Sequence, residues 1–230
     1  MLGKLHTITA LTVSLMCGTS VFAQSDASPV GIMGLYKAAN PAEPALDAQT
    51  LAALDCSVHR SGAIGAAQGD IGLEQPNQFV LFACETSVLS NMALRAQLSD
   101  LATSSEMIAM LEGDLMNFPI EGAQGAVADR QYVFKISYYN NEDPDGRDAE
   151  LASLTVEAEA KADTYVTEAF VGVNHAIGMP TPDEVVMLYY DDPATGDRFR
   201  SANGDLLNKI RAFNSAHLVS TVYYVGQAVN

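Results

Sequence analysis

Leucine and isoleucine recur at steps of three and four residues through the middle of the chain. The recurring positions are Leu94, Leu98, Leu101, Ile108, Leu111 and Leu115. In an α-helix this spacing places every one of these side chains on the same face. The pattern therefore predicts a helical region over residues 88–117. Either two helices or a bend is expected at Thr103–Glu106, because Thr-Ser-Ser-Glu is typical of a capping box at the start of a helix.

Three shorter segments also favour helix: residues 47–54, 148–162 and 205–214. Residues 148–162 are rich in Ala and Glu, which favour helix. Within them, however, Leu154–Ala160 alternates apolar and polar residues as a half-buried strand does. We predict a helix for residues 148–162 and keep the strand as the alternative.

Three segments in the C-terminal half are rich in the β-branched and aromatic residues that favour strands. They are Tyr132–Tyr139, Val185–Tyr190 and Ser220–Val225, and each contains a Tyr-Tyr pair. Neighbouring residues of a strand point to opposite faces, so each pair gives one ring to each face of a sheet. Residues 182–190 also permit a helix, because the sequence from Thr181 to Glu184 fits a capping box.

Together these patterns predict an α+β fold, with the helices packed on a mainly antiparallel sheet. A further strand is expected at Phe79–Cys84, a continuous apolar run of the kind found in buried strands. Because no linker divides the later part of the chain, we predict a single domain over residues 46–230. Residues 24–45 are rich in Ser, Ala and Pro and are expected to form a loose N-terminal segment.

The first 23 residues have the three parts of a secretory signal peptide. Lys4 precedes a largely apolar stretch from Ile8 to Cys17, and small residues follow as far as Ala23. The stretch is shorter than the roughly 20 apolar residues that span a bilayer. We therefore expect residues 1–23 to be removed and the mature chain to be periplasmic or extracellular, without stable membrane insertion. A retained membrane anchor is the alternative.

The chain is strongly acidic, with 28 Asp and Glu against 12 Lys and Arg and a formal charge of −16 at pH 7. Such a surface repels nucleic acid and anionic membranes. We therefore expect no nucleic-acid partner, and a protein or small ligand as the partner instead. The same charge also suits a protein that must stay soluble in a salty medium.

The cysteines predict one disulfide. Cys17 lies in the expected signal peptide, which leaves Cys56 and Cys84 as a pair in an oxidising compartment. The alternative is a zinc site, since Cys56 and His59 have the spacing of metal ligands. Zinc sites usually use two such close pairs, and the sequence supplies one. We therefore favour the Cys56–Cys84 disulfide.

An acidic loop is the candidate cation site. If Asn141 occupies the first position of an EF-hand loop, Asp143 and Asp145 fall at later ligand positions, and Asp148 adds a carboxylate. The match ends at Ala152, where a calcium loop needs a bidentate Glu. The candidate calcium ligands are thus Asn141, Asp143, Asp145 and Asp148, with a solvated turn as the alternative. No other cofactor is expected.

The sequence contains no G-x-S-x-G, H-E-x-x-H or S-x-x-K motif, so no catalytic residue is assigned from it. We therefore interpret the chain as an exported non-enzymatic binding protein. One alternative is an exported hydrolase whose base, His59 or His175, meets its partners only in the folded chain. The other is a structural module stabilised by calcium.

Overall fold

The computed structural model describes residues 29–43, 48–52, 54–85, 87–89, 105–117, 127–161 and 165–228. The predicted signal peptide lies outside these residues. The described residues form eight strands and four helices. The strands are β1 (Val30–Ala38), β2 (Cys56–Asp70), β3 (Gln78–Cys84), β4 (Ser105–Asn117), β5 (Gln131–Tyr139), β6 (Val166–Ile177), β7 (Glu184–Tyr190) and β8 (Leu218–Ala228). The helices are α1 (Ala48–Ala52), α2 (Pro144–Glu159), α3 (Pro193–Ala202) and α4 (Gly204–His217).

The eight strands close into a barrel in the order β1-β3-β2-β8-β5-β7-β6-β4. Every neighbouring pair is antiparallel. The prediction of an α+β fold with helices on a mainly antiparallel sheet is confirmed. None of the helices in the described ranges combines the length and the apolar character needed to cross a membrane.

The barrel consists of two halves with the same strand order. In the first half, residues 30–117, the order is β4-β1-β3-β2, and in the second, residues 131–228, it is β8-β5-β7-β6. This is the order of a ferredoxin-like βαββαβ unit. The halves meet at two seams, where β2 pairs with β8 and β4 pairs with β6. Strands β2 and β6 are therefore equivalent to each other.

At both seams the backbones approach closely where one strand has a glycine. A Cβ atom on Gly113 would lie 1.8 Å from the carbonyl oxygen of Gly172, at the β4–β6 seam. A Cβ atom on Gly226 would lie 2.4 Å from the carbonyl oxygen of Ala63, at the β2–β8 seam. These distances are far inside van der Waals contact, so the two seams require glycine at these positions.

The interior of the barrel is filled by apolar side chains from all eight strands. The ring of Phe134 lies at its centre, 5.1 Å from the ring of Phe79 and 5.1 Å from that of Tyr224. An eight-stranded barrel is just wide enough for its own side chains, so the interior is a packed core rather than a channel.

A second apolar layer lies between the barrel and helices α2 to α4. Its buried members are Tyr190, Phe199 and Leu206. Tyr190 faces this layer while its neighbour Tyr189 faces the barrel interior. The expectation that a tyrosine pair serves both faces of the sheet therefore holds for this strand.

The predicted helix over residues 88–117 is wrong for residues 105–117, which form β4, and residues 90–104 lie outside the described part of the chain. The reason is that β4 is covered on both faces. Leu111 and Leu115 enter the barrel interior, while Met110 packs in the apolar layer that contains Leu51 of α1. A strand buried on both faces shows no alternation, so its apolar run resembles a helical one.

Two segments were compatible with either a helix or a strand from their sequence alone. Residues 148–162 belong largely to α2, which begins earlier, and residues 182–190 contain strand β7. Helices α2 and α3 both start at an Asp-Pro sequence. Asp143 and Asp192 cap them by accepting hydrogen bonds from the backbone N–H groups of Gly146 and Thr195. Proline at the first helical position, after such a cap, is a strong start signal.

Candidate functional site

Strand β2 contains a bulge near its start. In the pairing with β3, Val58 lies opposite Phe82 and Arg60 opposite Leu81, which leaves His59 as the extra residue. A bulge bends the strand and changes the direction of the local side chains. This one places His59 at the end of the barrel where β2 begins.

The equivalent strand of the second half, β6, contains a bulge at its own start. In the pairing with β7, Thr167 lies opposite Leu188 and Ala169 opposite Met187, so Glu168 is the extra residue. Glu168 is 1% exposed. Equivalent strands of the two halves thus bring one ionisable side chain each to the same end of the barrel.

These two side chains meet. Nε2 of His59 lies 3.2 Å from Oε1 of Glu168. The carboxylate is almost completely buried, whereas the imidazole is partly exposed. A buried carboxylate is costly unless nearby groups compensate its charge. The ring nitrogen of His59 is one of the groups that face this carboxylate.

Arg60, the residue after the β2 bulge, also faces this carboxylate. Its Nε lies 2.5 Å from Oε1 of Glu168 and donates a 3.0 Å hydrogen bond to the hydroxyl of Tyr132. Its Nη1 donates a 2.7 Å hydrogen bond to the carbonyl oxygen of His59. The guanidinium therefore connects the bulge, the carboxylate and the first buried tyrosine of β5 with charge-assisted contacts.

A second arginine and a second tyrosine lie beside this group. The guanidinium carbon of Arg130 is 4.1 Å from the ring centroid of Tyr189, a cation–π contact. Burial raises the pKa of Tyr189 to about 12, although the charge of Arg130 acts in the opposite direction. Burial, and then the charge of Glu168, also raise the pKa of Tyr132. Both hydroxyls therefore stay protonated at neutral pH.

We call these six residues the barrel-end cluster: His59, Arg60, Arg130, Tyr132, Glu168 and Tyr189. Four of its buried polar atoms make no hydrogen bond of acceptable geometry: Nε2 of His59, both carboxylate oxygens of Glu168 and the hydroxyl of Tyr189. The contacts to Glu168 are therefore close ion pairs whose donor and acceptor atoms are not aligned as in a hydrogen bond. Buried polar atoms are nearly always hydrogen-bonded in native proteins. Their concentration here makes the barrel-end cluster the candidate functional site.

A cavity of about 430 Å³ opens at this end of the barrel. It is lined by residues that flank Arg130 and Tyr189 along the chain, together with the end of β8: Ala128, Asp129, Asp191, Asp192, Pro193 and Gln227. The volume is within the range of small-molecule sites. The three aspartates make its wall acidic.

The predicted disulfide is confirmed. Cys56 and Cys84 are bonded, and their Cα atoms lie 4.1 Å apart on directly opposite positions of β2 and β3. The zinc alternative is excluded because the two sulfur atoms are joined to each other. The disulfide lies three residues before His59, at the same end of the barrel.

The acidic loop forms the start of α2. Oδ1 of Asp143 accepts a 3.0 Å hydrogen bond from the N–H of Gly146, and Oδ1 of Asp148 accepts a 2.8 Å hydrogen bond from Nε of Arg147. Asn141 and Asp145 are exposed. Within the described ranges, no group of three or more His, Cys, Asp and Glu side chains is placed to hold a metal ion.

The structure separates the two histidines suggested as bases. His59 lies in the barrel-end cluster, whereas His175 is exposed near the end of β6. A third histidine, His217, has its Nε2 3.0 Å from Oε2 of Glu150 and so links α4 to α2. Of these three histidines, His59 is the one whose ring nitrogen forms an ion-pair contact with a carboxylate that is almost completely buried.

The sequence analysis missed Glu168 and the arginines that accompany it. One signal was present, since Glu168 interrupts an otherwise apolar strand segment that ends near Val173. Glu is almost never fully buried unless it is paired. A lone Glu in such a strand therefore indicates either an exposed edge or a functional ion pair, and the pattern alone does not distinguish them.

No protein-family model matches the sequence, and no characterised protein matches it by sequence either. Solved structures do match the fold. A chlorite dismutase variant from Candidatus Nitrospira defluvii superimposes with a TM-score of 0.53 and 12% identity, over 88% of this chain and 92% of that one. A heme-binding protein from Thermus thermophilus gives 0.48 and 11%, over 88% and 92%. An anthrone oxidase-like protein gives 0.45 and 12%, over 88% and 92%.

These comparisons correct two expectations. The chlorite dismutase, which matches the fold with a TM-score of 0.53, is an enzyme. The interpretation as an exported non-enzymatic binding protein is therefore wrong. The expectation of no cofactor, with calcium as the exception, is corrected as well, since the matches include a protein described as heme-binding. A small-molecule ligand remains consistent with the matches.

Heme binding requires an axial ligand such as His beside an apolar cavity. Nε2 of His59 and Nε2 of His217 both lie against carboxylates. The cavity at the barrel end has an acidic wall. The layer under α2 to α4 is filled by Tyr190, Phe199 and Leu206. The described residues therefore do not form a heme pocket by themselves.

Proposed function

We propose that the chain is an enzyme that moves a proton on a small molecule bound at the barrel end, with His59 and Glu168 as the acid–base pair. The observation that carries this proposal is the buried His59–Glu168 contact, whose polar atoms lack well-directed hydrogen bonds. Ionisable side chains that converge on one place without well-directed partners are candidates for acid–base chemistry. The enzymatic nature of the chlorite dismutase with the same fold supports the proposal.

The roles follow from the chemistry of the side chains. Histidine is the side chain that most often exchanges protons near neutral pH. Glu168 orients the imidazole and stabilises its protonated form, as a carboxylate does in a catalytic triad. Because the carboxylate faces Nε2, the imidazole exchanges the substrate proton through Nδ1.

Arg60 and Tyr132 complete the site. A proton removed from carbon leaves negative charge on a neighbouring oxygen, and fixed donors aimed at that oxygen lower the barrier. Arg60 has more N–H groups than its contacts to Glu168, Tyr132 and His59 use. The hydroxyl of the fully buried Tyr132 accepts a bond from Arg60 and so holds the guanidinium in place.

The proposed step is balanced without an external oxidant. The C–H bond next to a carbonyl group breaks, and the proton passes to His59. The electron pair of that bond becomes the carbon–carbon double bond of an enolate, whose oxygen is held by Arg60. His59 exchanges the abstracted proton with solvent and returns a proton to the same carbon, which regenerates the ketone and the neutral imidazole. In deuterated water the result is exchange of hydrogen for deuterium.

The exchange reaction tests the proposal directly. The protein is incubated in deuterated water with pyruvate, a charged ketone, or hydroxyacetone, a neutral one, and loss of the proton signal is followed by NMR. We expect the wild type to accelerate exchange. H59A and E168Q should each lower the rate by roughly 10²- to 10⁴-fold, the usual contribution of a general base. H175A, which changes an exposed histidine, is the matched control and should retain the rate.

Two results would overturn the proposal. One is no acceleration of exchange with either ketone by the wild type, and the other is equal rates for H59A and wild type. A separate arm adds hemin. A hemin absorption band that shifts on binding, with turnover that requires hemin and survives H59A, would place the chemistry on heme instead.

We also propose that the chain works outside the cytoplasm. The Cys56–Cys84 disulfide supports this, because disulfides persist in oxidising compartments. The signal-peptide pattern of residues 1–23 supports it as well. Mass spectrometry of the protein from its native host should find a chain that begins at Gln24. A chain that retains Met1 would contradict the proposal.

A further inference from the structure

The disulfide lies at the base of the segment that carries His59. Cys56 is the first residue of β2 and faces Cys84, the last residue of β3. Both side chains are buried. Only Ser57 and Val58 separate Cys56 from the bulge at His59. Any movement of β2 relative to β3 at this end therefore changes the position of the imidazole.

This segment is weakly held by hydrogen bonding. The pairing of β2 with β8 begins at Gly62. Among the described residues, positions 56–61 therefore pair with β3 alone. The register of β2 around the bulge is therefore set by its ladder with β3 and by the link between Cys56 and Cys84.

Between the disulfide and the bulge, side-chain packing is slight, since Ser57 and Val58 are both exposed. The chain enters β2 through Asp55, whose φ of 54° lies in the left-handed region that residues with a side chain seldom adopt. The start of β2 is held before the bulge by the buried link of Cys56 to Cys84, and after the bulge by the contacts of Arg60 to Glu168 and Tyr132.

We propose that the Cys56–Cys84 disulfide is a positioning element of the barrel-end cluster, and that the His59–Glu168 pair is assembled only in the oxidised chain. Its consequence for catalysis rests on the proposed function, whereas the consequence for the contact itself does not. A dithiol reductant would transfer two electrons and two protons to the Cys56–Cys84 bond and become a disulfide itself. The freed start of β2 would then shift at the bulge and move His59 away from Glu168.

The test observes the histidine rather than the overall stability. Imidazole signals of His59, His175 and His217 are recorded by NMR in the full chain and assigned with the variants H59N, H175N and H217N. The wild type is compared before and after treatment with a dithiol, and E168Q gives the signal of His59 without its partner. C56A/C84A and C56V/C84V remove the disulfide, the second with apolar replacements that keep the buried volume. Circular dichroism verifies that each sample is folded.

We expect reduction, or either double variant, to move the His59 signal to its position in E168Q, while the His175 and His217 signals stay in place. Amides of residues 57–61 should lose protection from hydrogen exchange. The rate of deuterium exchange into whichever ketone the wild type turns over should fall by roughly 10²-fold. This is the usual effect of misplacing a catalytic group by about 1 Å. The dithiol should have no further effect on C56A/C84A.

A merely structural disulfide would lower stability and leave the His59 signal of the folded chain unchanged, and that result would overturn the inference. If the His59 signal moves but the wild type exchanges neither ketone, the proposed function fails and the positioning role stands. If both double variants and the reduced wild type are unfolded under all conditions, positioning of His59 in a folded reduced chain is excluded, and the inference fails too.

Discussion

His59 and Glu168 occupy the same place in two equivalent strands: each is the extra residue of a bulge, and their side chains lie 3.2 Å apart. The first belongs to the first half of the barrel and the second to the other half. Neither half alone contains the pair. The site therefore depends on closure of the barrel, which makes the seams between the halves as important to function as the side chains themselves.

The seams predict a strong effect of one small substitution. G113A would place a Cβ atom 1.8 Å from the carbonyl oxygen of Gly172, so β4 and β6 must separate. We expect the free energy of unfolding to fall by about 3 kcal/mol, the upper range for overpacking. Urea denaturation measures this change.

The matched control for this substitution is G204A. No atom lies within 4 Å of the Cβ position at Gly204, the first residue of α4. The change in the free energy of unfolding caused by G204A should stay within about 1 kcal/mol. Equal stability of G113A and wild type would contradict the close approach at the seam.

The disulfide should also contribute to stability, separately from its proposed effect on His59. The two cysteines are 28 residues apart in the sequence. A loop of this length predicts a loss of about 3–4 kcal/mol when the link is removed, in the chain-entropy model. Urea denaturation of C56A/C84A and of the wild type with and without reductant measures it. Identical denaturation midpoints with and without reductant would contradict the prediction.

Alkaline pH should unfold the protein through its buried tyrosines. Burial raises the pKa values of Tyr189, Tyr190 and Tyr224 to about 12, whereas tyrosine in an unfolded chain ionises at about pH 10. The folded state holds these protons more tightly. Their stabilising contribution is therefore complete below about pH 10 and is lost as the pH rises through about 12.

The measurement is the free energy of unfolding across this pH range, with tyrosinate absorbance recorded in parallel. We expect absorbance from these tyrosines to appear together with the loss of tertiary structure. Y224F should weaken the pH dependence, because phenylalanine fills the same place without a proton to lose. Ionisation of every tyrosine at its ordinary pKa, in a protein that stays folded, would rule out their burial.

Local signals in the sequence predicted much of the fold. The three tyrosine-pair segments became β5, β7 and β8, and the expected helices near residues 47–54 and 205–214 became α1 and α4. The Asp-Pro sequences that start α2 and α3 follow β5 and β7 closely in the chain. These features succeed because capping and β-propensity depend on a few adjacent residues.

Features that depend on distant residues were not predictable. The apolar run at Met107–Leu115 resembles a helix because both faces of β4 are buried, which only closure of the barrel explains. The pairing of Gly62 with Ala228 joins distant parts of the chain, and no local pattern indicates it. The bulges that bring His59 to Glu168 are defined by their partner strands. The site was missed because it exists only where the two halves meet.

A double-mutant cycle on His59 and Glu168 tests the central claim most directly, with the rate of ketone deuterium exchange as the measured quantity. If the two side chains act as one acid–base unit, removal of either already removes most of its effect. We predict that H59A/E168Q is no slower than the slower of H59A and E168Q. A double variant whose loss equals the product of the two single losses would show that the residues act independently, and would contradict the account.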